Sequence, residues 1–193
     1  MTTQWNDEPD WGALDSALAI LRERPSDAIE EFKRLAELGS LLSMYYLAVV
    51  YTRGDGVPKD KDAAIYWHKR ASDGGLARSK YYLGRHYLAH KRFSEALPLL
   101  ADASDAGFVP ATNMLGHMYF SGIGVDKDRE RARTYWQTAV SGGHLLAKRD
   151  MAGAMITGAF GPNLIIGAII RYLKAVKDIL IEKKNDPNSD RTL

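Results

Sequence analysis

The sequence predicts an all-α fold, a solenoid of about five stacked helical hairpins. Three observations point to it. Gly54-Asp55-Gly56-Val57-Pro58-Lys59-Asp60 returns 68 residues later as Gly122-Ile123-Gly124-Val125-Asp126-Lys127-Asp128. The match runs without a gap from 41–75 to 109–143 with eleven identities, where average residue usage gives roughly two. Apolar residues on either side keep three- and four-residue spacing, the period of a helix face. Small residues fall at one offset after each turn, Ala28, Ala64, Ala96, Ala132 and Ala168, in steps of 36, 32, 36 and 36. Such units cannot bury their apolar faces alone and stack to do so.

In chain order, residues 1–24 are expected to form an N-terminal helix or cap, the weak first half of copy one, with Trp11-Gly12 where later copies have Leu-Gly or Leu-Ala. The repeats proper occupy 25–158. A helix over Ser26 to Leu38 is expected to be capped by Ser26 and to end at Gly39. Copy two opens with a helix over Leu41 to Arg53, carrying Met44, Leu47, Val50 and Tyr51 on one face. Gly54 and Gly56 end it, because glycine takes positive φ without a Cβ clash. Asp60 then serves as N-cap of a second helix, on which Ala64 and Ala71 let two backbones approach closely, until Gly74-Gly75 stops it. Copy three runs from His90-Lys91-Arg92 straight into Phe93, losing four turn residues and no helix. Copy four repeats copy two. A degenerate fifth copy stays in register through Ala152, Gly158, Ala168, Tyr172 and Ala175, and residues 159–184, an apolar helix, complete it. Residues 185–193 are polar with a proline and read as a disordered tail.

The pattern Leu-Gly-x-x-Tyr, then x-x-Gly-x-Gly-Val-x-x-Asp, then Ala, an aromatic pair, Ala and Gly resembles the Sel-one-like repeat family, relatives of the tetratricopeptide repeat with a longer turn in each unit. The resemblance covers about residues 25 to 176; copy three, without the turn, is similar to a plain tetratricopeptide unit. It implies a right-handed α-α superhelix that acts as a scaffold for other proteins and has no active site.

Composition narrows the alternatives. The 26 Lys and Arg nearly balance 24 Asp and Glu, net +2, so no basic footprint argues for nucleic acid. Without cysteine there is no disulfide, zinc-thiolate site or thiol nucleophile. Met1 to Asp10 is polar and acidic rather than a basic leader, so the expected location is cytoplasmic. His86 and His90 stand four apart on a predicted helix, a spacing that two metal ligands can share, but no third ligand lies one turn away, and no metal or other cofactor is expected. No serine sits in a Gly-x-Ser-x-Gly elbow, and the glycine turns lack the Gly-Lys-Ser/Thr ending of a phosphate loop. Trp67 and Trp136 read as packing residues. No catalytic residue is assigned; an enzyme with a site between repeats is the weakest reading.

A hairpin solenoid usually lines its concave side with first helices. Residues three before, and one, four and five after, the Leu-Gly position face that side: Tyr45, Val49, Thr52 and Arg53; Tyr81, Arg85, Leu88 and Ala89; Asn113, His117, Phe120 and Ser121. Aromatics, Arg and Asn suit a protein or peptide groove. The alternative is that Tyr45, Tyr81 and Phe120 only cover neighbouring helices.

Met151 to Ile170 is long enough to span a bilayer, but Gly161-Pro162-Asn163 breaks it and its alanines keep the repeat register. From Leu164 to Lys184 a polar stripe of Gly167, Arg171, Lys174, Lys177 and Asp178 is narrow, and Ile165, Ile166, Ile169, Ile170 and Leu173 add more apolar surface than an end cap needs. Three readings stay open here: a plain cap, a contact with a partner or a second copy, and a basic amphipathic helix on a membrane surface.

Overall fold

In the computed structural model the described residues are 8–160 and 165–185, with only the backbone of 165 and 166. The first seven residues, the Gly161-Pro162-Asn163 break with Leu164, and the polar tail from 186 lie outside them. The elements among the described residues are all α-helices: α1 (Trp11–Ile20), α2 (Pro25–Glu37), α3 (Leu41–Arg53), α4 (Lys61–Asp73), α5 (Ala77–Ala89), α6 (Phe93–Asp105), α7 (Val109–Ser121), α8 (Arg129–Ser141), α9 (Leu145–Ile156) and α10 (Ile165–Asn185). The chain forms two compact units, Met1–His86 and Tyr87–Leu193, which divide in sequence within α5.

In the first unit α1 packs on α2, α2 on α3 and α3 on α4. Leu14, Phe32, Leu35, Leu47 and Ala71 are fully buried at its centre, each large side chain stabilising by roughly 1.5–3 kcal/mol. In the second unit α6 packs on α7, α7 on α8, α8 on α9 and α9 on α10, around Trp136, Ala139, Ala147 and Ala154. Ala64, Ala96, Ala132 and Ala168 are all buried, as their shared offset predicts.

The two long connectors are built alike. The Gly54 N–H donates to the Val50 carbonyl (2.8 Å), and Gly122 does the same to Met118 (2.8 Å); Asp60 N–H reaches the Tyr51 carbonyl (3.0 Å), and Asp128 that of Tyr119 (2.9 Å). Gly54 and Gly122 take φ of 80° and 73°. The side chains of Asp60 and Asp128 then accept the N–H groups of Ala63 and Arg131, both at 2.9 Å, caps worth about 1 kcal/mol each. The second glycine of each connector seats against the first residue of an earlier helix. A Cβ on Gly56 would overlap the Pro25 ring, and one on Gly124 would come within 2.5 Å of Phe93 Cβ.

Four sequence expectations change. Ser26 does not cap α2, which begins at Pro25 with Arg24 as N-cap and no side-chain cap bond. Proline at the first position has no N–H to satisfy and its φ is already helical. Trp11 does not take the buried leucine's place: it opens α1 and is 40% exposed, whereas Leu14 is buried. The connector to α2 is only residues 21–24, so copy one also lacks the long turn and its register shifts. His90 lies past the end of α5, so the His86/His90 pair does not share a helix. The short connector that follows has no glycine, and Lys91 supplies the left-handed residue at φ 58°, with Arg92 N–H bonded to the Tyr87 carbonyl (2.9 Å).

Candidate functional site

In the first unit, three aromatic rings from three helices meet: Tyr45 on α3, His68 on α4 and Tyr82 on α5. His68 and Tyr82 stack at 5.2 Å with planes 15° apart, and Tyr45 lies 6.0 Å from His68 and 6.1 Å from Tyr82. The Arg78 guanidinium covers Tyr45 at 5.3 Å. Burial pushes the His68 imidazole down to about 4, since a charged ring would lose its hydration with no anion in compensation. The neutral ring faces the Ser79 hydroxyl at 3.4 Å.

The other first-unit residues predicted for a groove spread along two helices. Val49 is half-buried, Thr52 and Arg53 are exposed, and the Thr52 hydroxyl donates to the Ala48 carbonyl of its own helix (2.8 Å). On α5, Tyr81 is buried under Arg85, whose guanidinium sits 5.5 Å from the ring centre and is itself exposed. Leu88, half-buried, belongs to the second unit's part of that helix.

In the second unit the same offsets gather a different chemistry. Asn113, His117 and Phe120 on α7 share one cluster with Asp150 on α9. His117 Nε2 is 2.6 Å from Asp150 Oδ2, Asn113 Nδ2 donates to that oxygen at 3.5 Å, and Arg149 donates to Oδ1 at 2.8 and 2.6 Å. Burial opposes ionisation of Asp150 more than any other single effect, yet His117 and Arg149 together outweigh it and hold the carboxyl below the usual range. The carboxylate side chain is 7% exposed, while those of His117 and Arg149 are 39% and 40% exposed. The result is a concealed anion presented to solvent through two cationic or polar arms.

Beneath this cluster lies Trp136 of α8, edge-on to His117 at 5.4 Å, with Phe120 at 5.1 Å and Phe160 at 6.5 Å. A Cβ on Gly116 would come within 2.5 Å of the indole. The glycine of the Leu-Gly pair is therefore the space that this ring occupies. Where the chain has Gly116 and Trp136, the copy 68 residues earlier has Ala48 and His68.

Tyr45, Tyr81 and Asn113 are at most 8% exposed. A residue three before the Leu-Gly position lies about one helical turn from it on the same face and is buried with it. The residues that reach solvent are Thr52, Arg53, Arg85, Ala89 and Ser121, with Val49, Leu88, His117 and Phe120 partly so. Sequence reasoning missed Asp150, Arg149, His68 and Tyr82. The 68-residue offset pairs Tyr82 with Asp150, each on the first helix of the following hairpin, but the two are chemically unlike and leave no repeat signal. Among the described residues no three His, Asp or Glu side chains converge as metal ligands.

The sequence profile of the Sel1 repeat matches residues 41–76 and 109–144. Among solved structures, c5321, a protective antigen of uropathogenic Escherichia coli strains displaying an SLR fold, is similar over 93% of this chain with a TM-score of 0.76 and 24% identity. The chain spans 39% of that protein's length. A Sel1 repeat protein from Oxalobacter formigenes gives a TM-score of 0.76 at 20% identity, covering 89% of this chain and 75% of its own. Immunity protein Pa5087 from Pseudomonas aeruginosa gives 0.58 at 23% identity over 76% of this chain and 60% of its own. The likeness is one of fold: all-α helical repeats.

Proposed function

The chain is a Sel1-like repeat protein, and from that premise we propose that it is a non-enzymatic scaffold or adaptor that binds a protein or peptide partner along the first helices of its hairpins. A repeat fold of this kind commonly serves as a protein-interaction scaffold. One observation carries the reading to particular residues: Asp150 is held by His117 and Arg149, which keep some two fifths of their side chains exposed. A purely structural position would be expected to close over with apolar groups, as Tyr45, His68 and Tyr82 do in the other unit. Exposed donors on a fixed carboxylate are set to meet backbone carbonyls or acidic side chains of a partner, because their geometry is already ordered before binding. In the first unit, Arg53 and Arg85 offer the same type of donor.

The test is capture of partners by the tagged protein with mass spectrometry, then titration of the recovered partner. Arg149→Gln, and separately Arg53→Ala with Arg85→Ala, should each weaken binding at least tenfold while helicity and melting persist. Binding that survives both, and is lost instead on altering the second-helix residues Lys69 and Arg133, overturns the assignment of the surface.

A further inference from the structure

The face of α10 turned away from α9 has a pattern that the repeat does not require. Ala168, Tyr172, Ala175 and Ile179, spaced four, three and four, form its buried or half-buried side, and α10 packs on α9. The opposite side is apolar and open: Ile169, Leu173 and Leu180 line one stripe, Ile170 and Ile181 a second, and they are 43–66% exposed. At about 100° per residue, Lys177 and Lys184 fall between the two stripes, and Lys174 and Lys183 along their outer edges. All four lysines are exposed. The two acids of the helix, Asp178 and Glu182, are half-buried on the flank nearer the packed side. Five basic and two acidic residues stand on α10, against 21 and 22 in the rest of the chain.

The equivalent helix one hairpin earlier shows that Ile170 and Leu173 stand where stacking leaves a helix exposed. Ala132, Trp136 and Ala139 of α8 match Ala168, Tyr172 and Ala175, so Thr134 and Gln137 match Ile170 and Leu173. Thr134 and Gln137 stay exposed even though α9 and α10 follow them. A further hairpin stacked on α10 would therefore leave Ile170 and Leu173 uncovered. A second copy is a poor occupant as well, because each face would bring four lysines into the same desolvated contact, where like charges repel and lysine is depleted.

We propose that α10 lies flat on an anionic lipid surface, with its isoleucines and leucines entering the acyl boundary and its lysines reaching the headgroups. Exposed apolar stripes edged by lysine are what such a surface takes: apolar burial supplies adhesion, and the long lysine stems let the ammonium groups reach up to phosphate. From 169 to 181 the helix runs about 18 Å, a contact along the surface. Among the described residues no helix is long and apolar enough to cross a membrane. The inference is independent of the partner surface on the first helices.

The experiment is vesicle flotation of the full chain. Vesicles containing phosphatidylglycerol should carry the protein up and release it at high salt, while phosphatidylcholine vesicles should not. Giving α10 the residues that α8 carries, Ile170→Thr with Leu173→Gln, should keep the helical signal and melting temperature and lower flotation at least tenfold. Replacing Lys174, Lys177, Lys183 and Lys184 by Gln should do the same through charge alone. The proposal is overturned if the parent protein floats with neither vesicle or equally with both. It is also overturned if the parent forms a dimer in solution that the Ile170/Leu173 change dissolves, for then a second copy covers the face.

Discussion

Tyr45, His68 and Tyr82 in the first unit and Asn113, Trp136 and Asp150 in the second occupy the same repeat positions, each pair 68 residues apart. Around them the frame is the same: equivalent glycine φ values, equivalent connector hydrogen bonds and equivalent buried alanines. Inside the frame the chemistry is opposite. One trio is a closed aromatic stack with a neutral imidazole. The other joins an indole to a paired carboxylate with exposed arms. Turns and small residues define the hairpin, while the three positions where successive hairpins meet are free to change character.

The frame breaks most severely at its second glycine. Gly124→Val puts a β-branched residue at positive φ and into Phe93, and should cost about 3–4 kcal/mol; Gly56→Val should do the same against Pro25. Melting temperatures unchanged in both variants would refute the shared frame. The next largest effect belongs to the aromatic trio. His68 stays neutral in the folded chain down to about 4, whereas in the unfolded chain it takes up a proton near its ordinary value of about 6.5. Its folded value is lowered, so stability is complete above about pH 6.5 and falls as pH drops towards 4, by roughly 3 kcal/mol in all. Urea titrations between those limits should show the loss, and His68→Trp with Ala48→Gly, which imports the second unit's pair, should abolish it.

A smaller change is expected at the carboxylate. Asp150→Asn should cost about 1–2 kcal/mol, because His117 and Arg149 are exposed enough to regain water. With its folded value depressed, the carboxyl's contribution holds above the usual Asp range and disappears only as pH falls below it. The two trios therefore respond to acid in separate windows, and one shared window would remove the distinction. The smallest effect concerns the short connector. Lys91→Gly should stabilise by about 1 kcal/mol, since a left-handed residue with a Cβ is replaced by one without.

The frame was legible because it repeats. Gly54, Gly56, Asp60, Ala64 and Ala71 announce themselves by returning as Gly122, Gly124, Asp128, Ala132 and Ala139, and each does in the structure what its offset implies. Features that occur once were not legible. Pro25 in place of a serine cap, Leu14 in place of Trp11, and Lys91 at positive φ all depend on short connectors, where no second copy exists for comparison. Part of the candidate site was readable: His117 and Phe120 follow from their distance to Gly116. Asp150 did not, because an ion pair between helices of different hairpins leaves no period in either one. The buried Tyr45, Tyr81 and Asn113 show the limit of counting offsets, as one helical turn from a packed glycine is still the packed side.

The glycine latch of each long connector has a bearing on how the chain comes apart. Gly56 grips the start of α2 and Gly124 the start of α6, each inside its own unit, whereas the abbreviated link at His90-Lys91-Arg92 has no glycine to grip with. In a linear array, neighbour coupling decides which segments open together. Amide protons at the head of α2 should then exchange in step with those of the 54–60 turn, and those at the head of α6 with the 122–128 turn. Between these two blocks exchange should lose synchrony, so each unit would open as its own cooperative block.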